Sequence, residues 1–157
     1  MTPGKVNRAV VVEKTAWIKE MLANLGDLGL EDRAAFLSDR HKQAAAESYL
    51  RRALEALFDL SRHILAKKFA VVAPEYKDIA RALLERGFLS RRESDRLRIM
   101  AGYRNRLVHF YHKIGPEELH EVCTKDVADI LMILSRLAKA ARPPQRRKSS
   151  SSPRRPR

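Results

Sequence analysis

The chain has 157 residues, of which 45% are hydrophobic and 6% aromatic, so it is long enough for one domain with a single hydrophobic core. Its one cysteine, Cys123, excludes an intramolecular disulfide and a cysteine-rich zinc site. No stretch approaches the roughly 18 apolar residues of a membrane helix, and the short apolar run near the N-terminus is not typical of a signal peptide. We therefore expect a cytoplasmic protein without a membrane segment.

The positive charge is concentrated at the C-terminal end. Residues 142–157 contain seven of the 32 Lys and Arg residues and none of the 19 acids, so they supply more than half of the +13 net charge. This stretch has no apolar side chain to offset the entropy of ordering, and it is predicted to be a disordered tail after a domain at residues 1–141. The tail either increases solubility or binds a polyanion such as RNA by nonspecific, salt-sensitive electrostatic attraction.

Helices are predicted throughout residues 1–141. Apolar residues at helical spacing predict a first helix over 6–25, and the following glycines are typical of a helix end. A short segment over 30–37 precedes Ser38 and Asp39, which form a good N-cap site. A long amphipathic helix over about 39–68 follows.

The second half of the chain has equally clear boundaries. Pro74 opens a helix that Gly87 closes, and Ser90 with Glu93 forms a capping box for the next helix, over 90 to about 113. Pro116 begins the last helix, which stops before Pro143. The expected fold is all-α, an antiparallel bundle of four main helices plus a short helix.

Arg104 lies in the middle of the stripe that the helix over 90–113 should bury. The apolar residues of this stripe are Leu97, Met100, Ala101, Leu107, Val108 and Ile114. Three arrangements explain the inward position of Arg104. It forms a buried ion pair with Glu55 or Asp59 of the long helix, its stem is buried while its charged head reaches water, or it lines a cleft or subunit interface where an anion binds. The apolar stripe alone does not distinguish these three arrangements.

Other polar groups lie close to Arg104 in the sequence. Asn105, His109 and His112 share the flank of the same predicted helix, with Asn105 and His109 four residues apart. Imidazole transfers protons near neutral pH and guanidinium binds phosphate, so the set is typical of phosphodiester chemistry. On an ideal helix Arg104 and His109 are about 140° apart, which favours a site completed by a second copy.

The sequence resembles a known family at these positions. Arg104, His109 and Tyr111 match the Arg-x4-His-x-Tyr motif of HEPN domains of the HepT-like toxin type. The stretches "ESYLRRALEALFDLSRHI" (47–64), "EYKDIARALLERGFLS" (75–90) and "RLRIMAGYRNRLVHFY" (96–111) resemble the family's second helix, third helix and signature helix. The resemblance covers roughly residues 6–138.

The resemblance implies a helical homodimer whose two motifs face each other across a cleft. It implies a metal-independent endoribonuclease without cofactors, the toxin of a type II/VII-like toxin–antitoxin pair, whose partner is a minimal nucleotidyltransferase antitoxin. Arg104, Asn105 and His109 would be catalytic and Tyr111 would accept AMP from the antitoxin, while Glu55, Asp59 and His112 are candidates for supporting roles. The alternative from another class is a non-catalytic helical subunit that binds or regulates a nucleotidyltransferase.

Overall fold

The computed structural model describes residues 4–109 and 113–140, and all regular structure in these residues is helical. The helices are α1 (Arg8–Gly26), α2 (Arg33–Ser38), α3 (Arg40–Phe69), α4 (Tyr76–Glu85), α5 (Arg91–Val108), α6 (Pro116–Glu121) and α7 (Val127–Lys139). A π-helical turn, Val122–Asp126, connects α6 to α7. Within the described residues, no helix combines the length and apolarity required to cross a bilayer. The all-α prediction is confirmed.

Helix starts follow the predicted capping signals. Asp39 accepts hydrogen bonds from the backbone N–H groups of His41 and Lys42, at 2.9 and 3.2 Å, and so caps α3. At α5, the Glu93 N–H donates to Ser90 Oγ at 3.1 Å and the Glu93 carboxylate accepts from the Ser90 N–H, which completes the predicted capping box. These local bonds fix the starts of the two helices that carry Glu55 and Arg104.

The α1 and α3 helices run antiparallel. The N–H of Asn7 donates to Nε2 of His63 at 3.1 Å, and further along α1 Lys14 lies 3.7 Å from Asp59. Residue numbers therefore rise along α1 as they fall along α3.

The α5 and α7 helices are also antiparallel. Arg136 contacts the buried carboxylate of Glu93 at 3.1 Å, whereas Arg96 lies 3.8 Å from Asp129. Because α3 contacts α1, α4, α5 and α7, it forms the centre of the bundle, and its Phe58 is among the largest fully buried side chains.

Two boundaries differ from prediction. The sequence predicts a signature helix that reaches about residue 113, but α5 ends at Val108 and His109 has an extended backbone, with φ −96° and ψ 116°. It also predicts a continuous last helix, but the π-helical turn interrupts it. The predicted tail, residues 142–157, lies outside the described residues.

Candidate functional site

Arg104 is held on the inner side of α5 by a carboxylate from α3. Its side chain is 22% exposed, and its Nη2 lies 3.5 Å from Oε1 of Glu55. Arg51, one turn earlier on α3, donates to both oxygens of Glu55 at 3.3 Å. Glu55 therefore lies between two guanidinium groups, and its charge only partly neutralises Arg104.

An aromatic ring provides the second contact of Arg104. The guanidinium carbon lies 4.7 Å from the centre of the Tyr76 ring, a cation–π distance. Tyr76 stacks on Phe58 of the core at 4.6 Å, and the guanidinium of Arg62 lies 4.8 Å from the same ring. Sequence reasoning missed Tyr76 and Arg62, although an aromatic residue two positions after Pro74, at the start of a predicted helix, is a weak sign of a structured corner.

One donor of Arg104 has no acceptor. Its Nε is buried and makes no hydrogen bond to any described residue. A buried polar group without a partner costs free energy, typically about 1–3 kcal/mol. An anion that reached this edge of the guanidinium would recover part of this cost.

Asn105 and His109 occupy the exposed end of α5. Both side chains are exposed, and the His109 backbone N–H donates to the Asn105 carbonyl oxygen at 3.0 Å. His109 is the first residue after the helix. The angle of about 140° that an ideal helix would place between the Arg104 and His109 side chains therefore does not apply.

An ion pair joins the last turn of α5 to α6. Arg106, in the last turn of α5, donates through Nη2 to Oε2 of Glu118 at 2.9 Å, and its other terminal nitrogen contacts the second carboxylate oxygen. Nη2 also lies 3.4 Å from the carbonyl oxygen of Lys113. The hydrogen bond from Arg106 lowers the pKa of Glu118 below its usual value. The pair links α5 to α6 on either side of residues 109–115.

The remaining predicted residues are not brought to Arg104 by the described structure. Asp59, one turn after Glu55 on α3, is paired with Lys14 of α1 and is half exposed. Tyr111 and His112 lie outside the described residues. Nowhere in residues 4–109 and 113–140 do three His, Cys, Asp or Glu side chains form a group suited to holding a metal ion.

A groove of about 500 Å³ opens beside Arg104, between the start of α4 and the exposed side of α5. Its lining residues are Arg62, Pro74, Glu75, Tyr76, Lys77, Arg98, Ala101, Gly102, Arg104 and Asn105. Four of these are cationic and one is acidic. Arg62 is fixed there by hydrogen bonds to the carbonyl oxygens of Ala73 and Pro74, at 3.3 and 2.8 Å.

Comparison with known proteins gives one family and one fold. Residues 18–137 match the family model described as "Ribonuclease HepT-like". No match was found among curated proteins. A toxin–antitoxin crystal structure with AMP-PNP has a TM-score of 0.76 at 21% identity, covering 83% of this chain and 98% of that one.

Two further solved structures have the same fold. The tri-AMPylated Shewanella oneidensis HEPN toxin, solved in complex with MNT antitoxin, has a TM-score of 0.77 at 22% identity, over 83% of this chain and 97% of its own. The Bacillus subtilis cytosolic protein of unknown function YutE has a TM-score of 0.66 at 18% identity, over 87% of this chain and 88% of its own.

Proposed function

Because the chain belongs to the HepT-like ribonuclease family, we propose that it is a metal-independent endoribonuclease and the toxin of a toxin–antitoxin pair. Arg104, Asn105 and His109 would form its site. The observation that carries the proposal is the state of Arg104: a guanidinium held between Glu55 and Tyr76, with a buried Nε that has no acceptor among the described residues. A cation selected only for stability would have its donors satisfied.

The proposed reaction is an internal transesterification of RNA. The 2′-oxygen attacks the adjacent phosphorus as His109 removes its proton, and the bond from phosphorus to the 5′-oxygen breaks. A second imidazolium, His109 of another copy, donates the proton that the leaving oxygen takes up. Arg104 stabilises the extra negative charge on the phosphorane, and Asn105 orients the phosphate. The products are a 2′,3′-cyclic phosphate and a 5′-hydroxyl.

Cleavage by variants tests this assignment. Arg104→Ala and His109→Ala should each abolish RNA cleavage while the helical circular dichroism stays unchanged, and Arg104→Lys should recover little because it loses the planar fork. Arg40→Ala, an exposed arginine at the far end of α3, is the matched control. Wild type should be equally active in EDTA. Undiminished cleavage by His109→Ala would overturn the mechanism.

The second imidazole requires two copies in one cleft. We propose a homodimer with the exposed ends of the two α5 helices facing each other. Light scattering should give twice the chain mass, and mixed dimers of wild-type and His109→Ala subunits should be inactive, because each contains only one of the two imidazoles. A strict monomer that cleaves RNA would exclude the shared cleft.

Neutralisation would involve Tyr111. The family resemblance suggests a minimal nucleotidyltransferase antitoxin that attaches AMP to this tyrosine, and the structurally similar Shewanella oneidensis toxin is tri-AMPylated and in complex with MNT antitoxin. Coexpression with the cognate nucleotidyltransferase should add whole AMP units to Tyr111, and Tyr111→Phe should remain unmodified. A protein that binds the nucleotidyltransferase but never cleaves RNA would instead be a non-catalytic partner subunit.

A further inference from the structure

We propose that the groove between the start of α4 and the exposed side of α5 binds the backbone of single-stranded RNA, with Arg98 and Arg62 contacting the phosphate next to the one held at Arg104. This inference rests on the proposed ribonuclease function and adds a binding site to it. The Arg-x4-His-x-Tyr motif includes no residue of α4 and does not include Arg98.

The groove is continuous with the site. Arg104 and Asn105 line one end of it, and Arg98 lines it two turns earlier on α5. Arg98 and Asn105 are seven residues apart, so they project at nearly the same angle, with their Cα atoms about 10 Å apart along the axis. An RNA strand whose phosphate contacts Arg104 can therefore extend along α5 without leaving the protein surface.

Gly102 leaves the floor of the groove open. It lies on the same exposed row of α5 as Arg98 and Asn105, and a Cβ added to it would meet no atom within 4 Å. Any longer side chain at this position would stand between Arg98 and Asn105. The absence of a side chain therefore gives a strand access to the helix surface between two polar groups.

The charges in the groove are unequally compensated. Lys77 is 3.0 Å from Glu75, the one acid in the lining, and the pair is close to neutral. Arg62 is held by carbonyl oxygens, which leave its charge intact. Arg98 is exposed and forms no ion pair with any described residue. The groove therefore has a net positive charge, and two of its cations, Arg62 and Arg104, contact the Tyr76 ring.

A polyanion with evenly spaced charges is the ligand that fits this arrangement. Arginine binds phosphate through a planar fork, and the polar residues Arg98 and Asn105 follow the axis of α5 over about 10 Å. The Tyr76 ring is already stacked on Phe58 and contacted by two guanidinium groups, so it offers no free face for a base. We therefore expect the groove to bind the RNA backbone without sequence preference.

Binding of an RNA that cannot be cleaved tests the groove separately from catalysis. The probe is a short, fluorescently labelled single-stranded 2′-O-methyl RNA, which lacks the attacking hydroxyl, and its affinity is measured by anisotropy with the full-length chain. Arg98→Ala should weaken binding by about fivefold, near the upper limit for one exposed ion pair. The slope of log affinity against log salt should shrink by about 0.7, the value for one phosphate contact on a single strand.

Two further variants make the result specific. Arg40→Ala makes the same charge change about 33 Å away along α3 from Arg62, and should leave affinity and slope close to wild type. Gly102→Gln should weaken binding by filling the groove, with little change in the salt slope because no charge is lost. An equal loss in Arg98→Ala and Arg40→Ala would mean general attraction to a basic surface and would overturn the proposal.

Kinetics separate failure of the groove from failure of the proposed function. On a cleavable RNA, Arg98→Ala should raise KM and leave kcat unchanged, whereas Arg104→Ala should abolish kcat. If cleavage requires Arg104 and His109 but KM is insensitive to Arg98, the ribonuclease stands and the groove proposal is wrong. If wild type cleaves no RNA but the anisotropy results are as expected, the groove binds RNA and the catalytic proposal is wrong.

Discussion

Nη2 of Arg104 lies 3.5 Å from Oε1 of Glu55, across the contact between α5 and α3. An incoming phosphate would compete with this carboxylate for the same guanidinium. The carboxylate thus holds the cation in place when the site is empty and weakens its attraction for RNA when the site fills.

The first prediction concerns Glu55→Gln. Glutamine preserves the size and one acceptor oxygen but removes the negative charge, so Arg104 should bind phosphate more strongly. Affinity for the 2′-O-methyl RNA should rise by a few fold, and unfolding should be little affected because both side chains are partly solvated. A fall in affinity would instead show that Glu55 serves mainly to orient Arg104.

The second prediction concerns the ion pair between Arg106 and Glu118. Glu118→Gln should loosen the connection after α5, and hydrogen exchange should become faster at residues 113–115. RNA cleavage should fall through kcat, because His109 precedes this connection. Glu117→Gln makes the same chemical change at the preceding, exposed position of α6 and serves as the control. Unchanged exchange and kcat in Glu118→Gln would mean that the pair has no positioning role.

This ion pair also has a pH dependence with a definite sign. Because Arg106 lowers the pKa of Glu118 in the folded chain, the stabilisation is complete above the usual value of about 4.5 and is lost as the pH falls through the lower, folded-state value. The difference in unfolding free energy between wild type and Glu118→Gln should therefore disappear in acid. A difference that persisted under strongly acidic conditions would contradict the assignment.

The third prediction concerns His63. Only a neutral imidazole can accept the hydrogen bond that the Asn7 N–H donates to Nε2 at 3.1 Å. Burial lowers the pKa of His63 in the folded chain, and the nearby charge of Lys67 acts in the same direction. The unfolded chain therefore binds this proton more readily, and the free energy of unfolding should decrease as the pH falls below about 6.5.

Chemical unfolding across this pH range tests the role of His63. His63→Gln keeps an acceptor for Asn7 and cannot titrate, so its stability should decline less steeply than that of wild type between neutral and mildly acid pH. His41→Gln, on an exposed histidine at the start of α3, should decline as wild type does. Identical profiles for wild type and His63→Gln would contradict the prediction.

The fourth prediction concerns Gly102→Ala. Position 102 is in the interior of α5, is exposed, and has space for a methyl group. Alanine should stabilise the helix by about 0.5–1 kcal/mol because glycine loses more backbone entropy on folding. Thermal unfolding should shift upward by a few degrees. A lower melting temperature would mean that the helix backbone needs the freedom of glycine at this position.

Much of the fold is predictable because its signals are local. Asp39, Ser90 and Glu93 cap the helices that follow them, and Gly87 ends α4 with a positive φ of 76°. The inward position of Arg104 is also evident, since it follows from helical periodicity alone. Such features depend on residues within one or two turns of each other.

The errors come from interactions between distant segments. The sequence from 103 to 112 contains no glycine or proline, so nothing local predicts that α5 ends at Val108, where Arg106 turns toward Glu118. Tyr76 lies at the site because α4 packs on α3 and α5. No residue spacing in the sequence indicates this packing. Of the two candidate carboxylates, four residues apart on α3, packing places Glu55 at Arg104 and pairs Asp59 with Lys14.

The π-helical turn at Val122–Asp126 determines which side chains of α7 face the core. One wide turn adds about one residue to the helix, so the side chains of α7 are rotated by about 100° relative to an unbroken helix. Thr124, exposed within it, donates through Oγ1 to the carbonyl oxygens of His120 and Glu121, at 2.8 and 3.2 Å. A deletion of Thr124 would thus convert the wide turn into an ordinary α turn and leave the apolar face of α7 in place, whereas a one-residue deletion within α7 itself would rotate the side chains before it by about 100° relative to those after it.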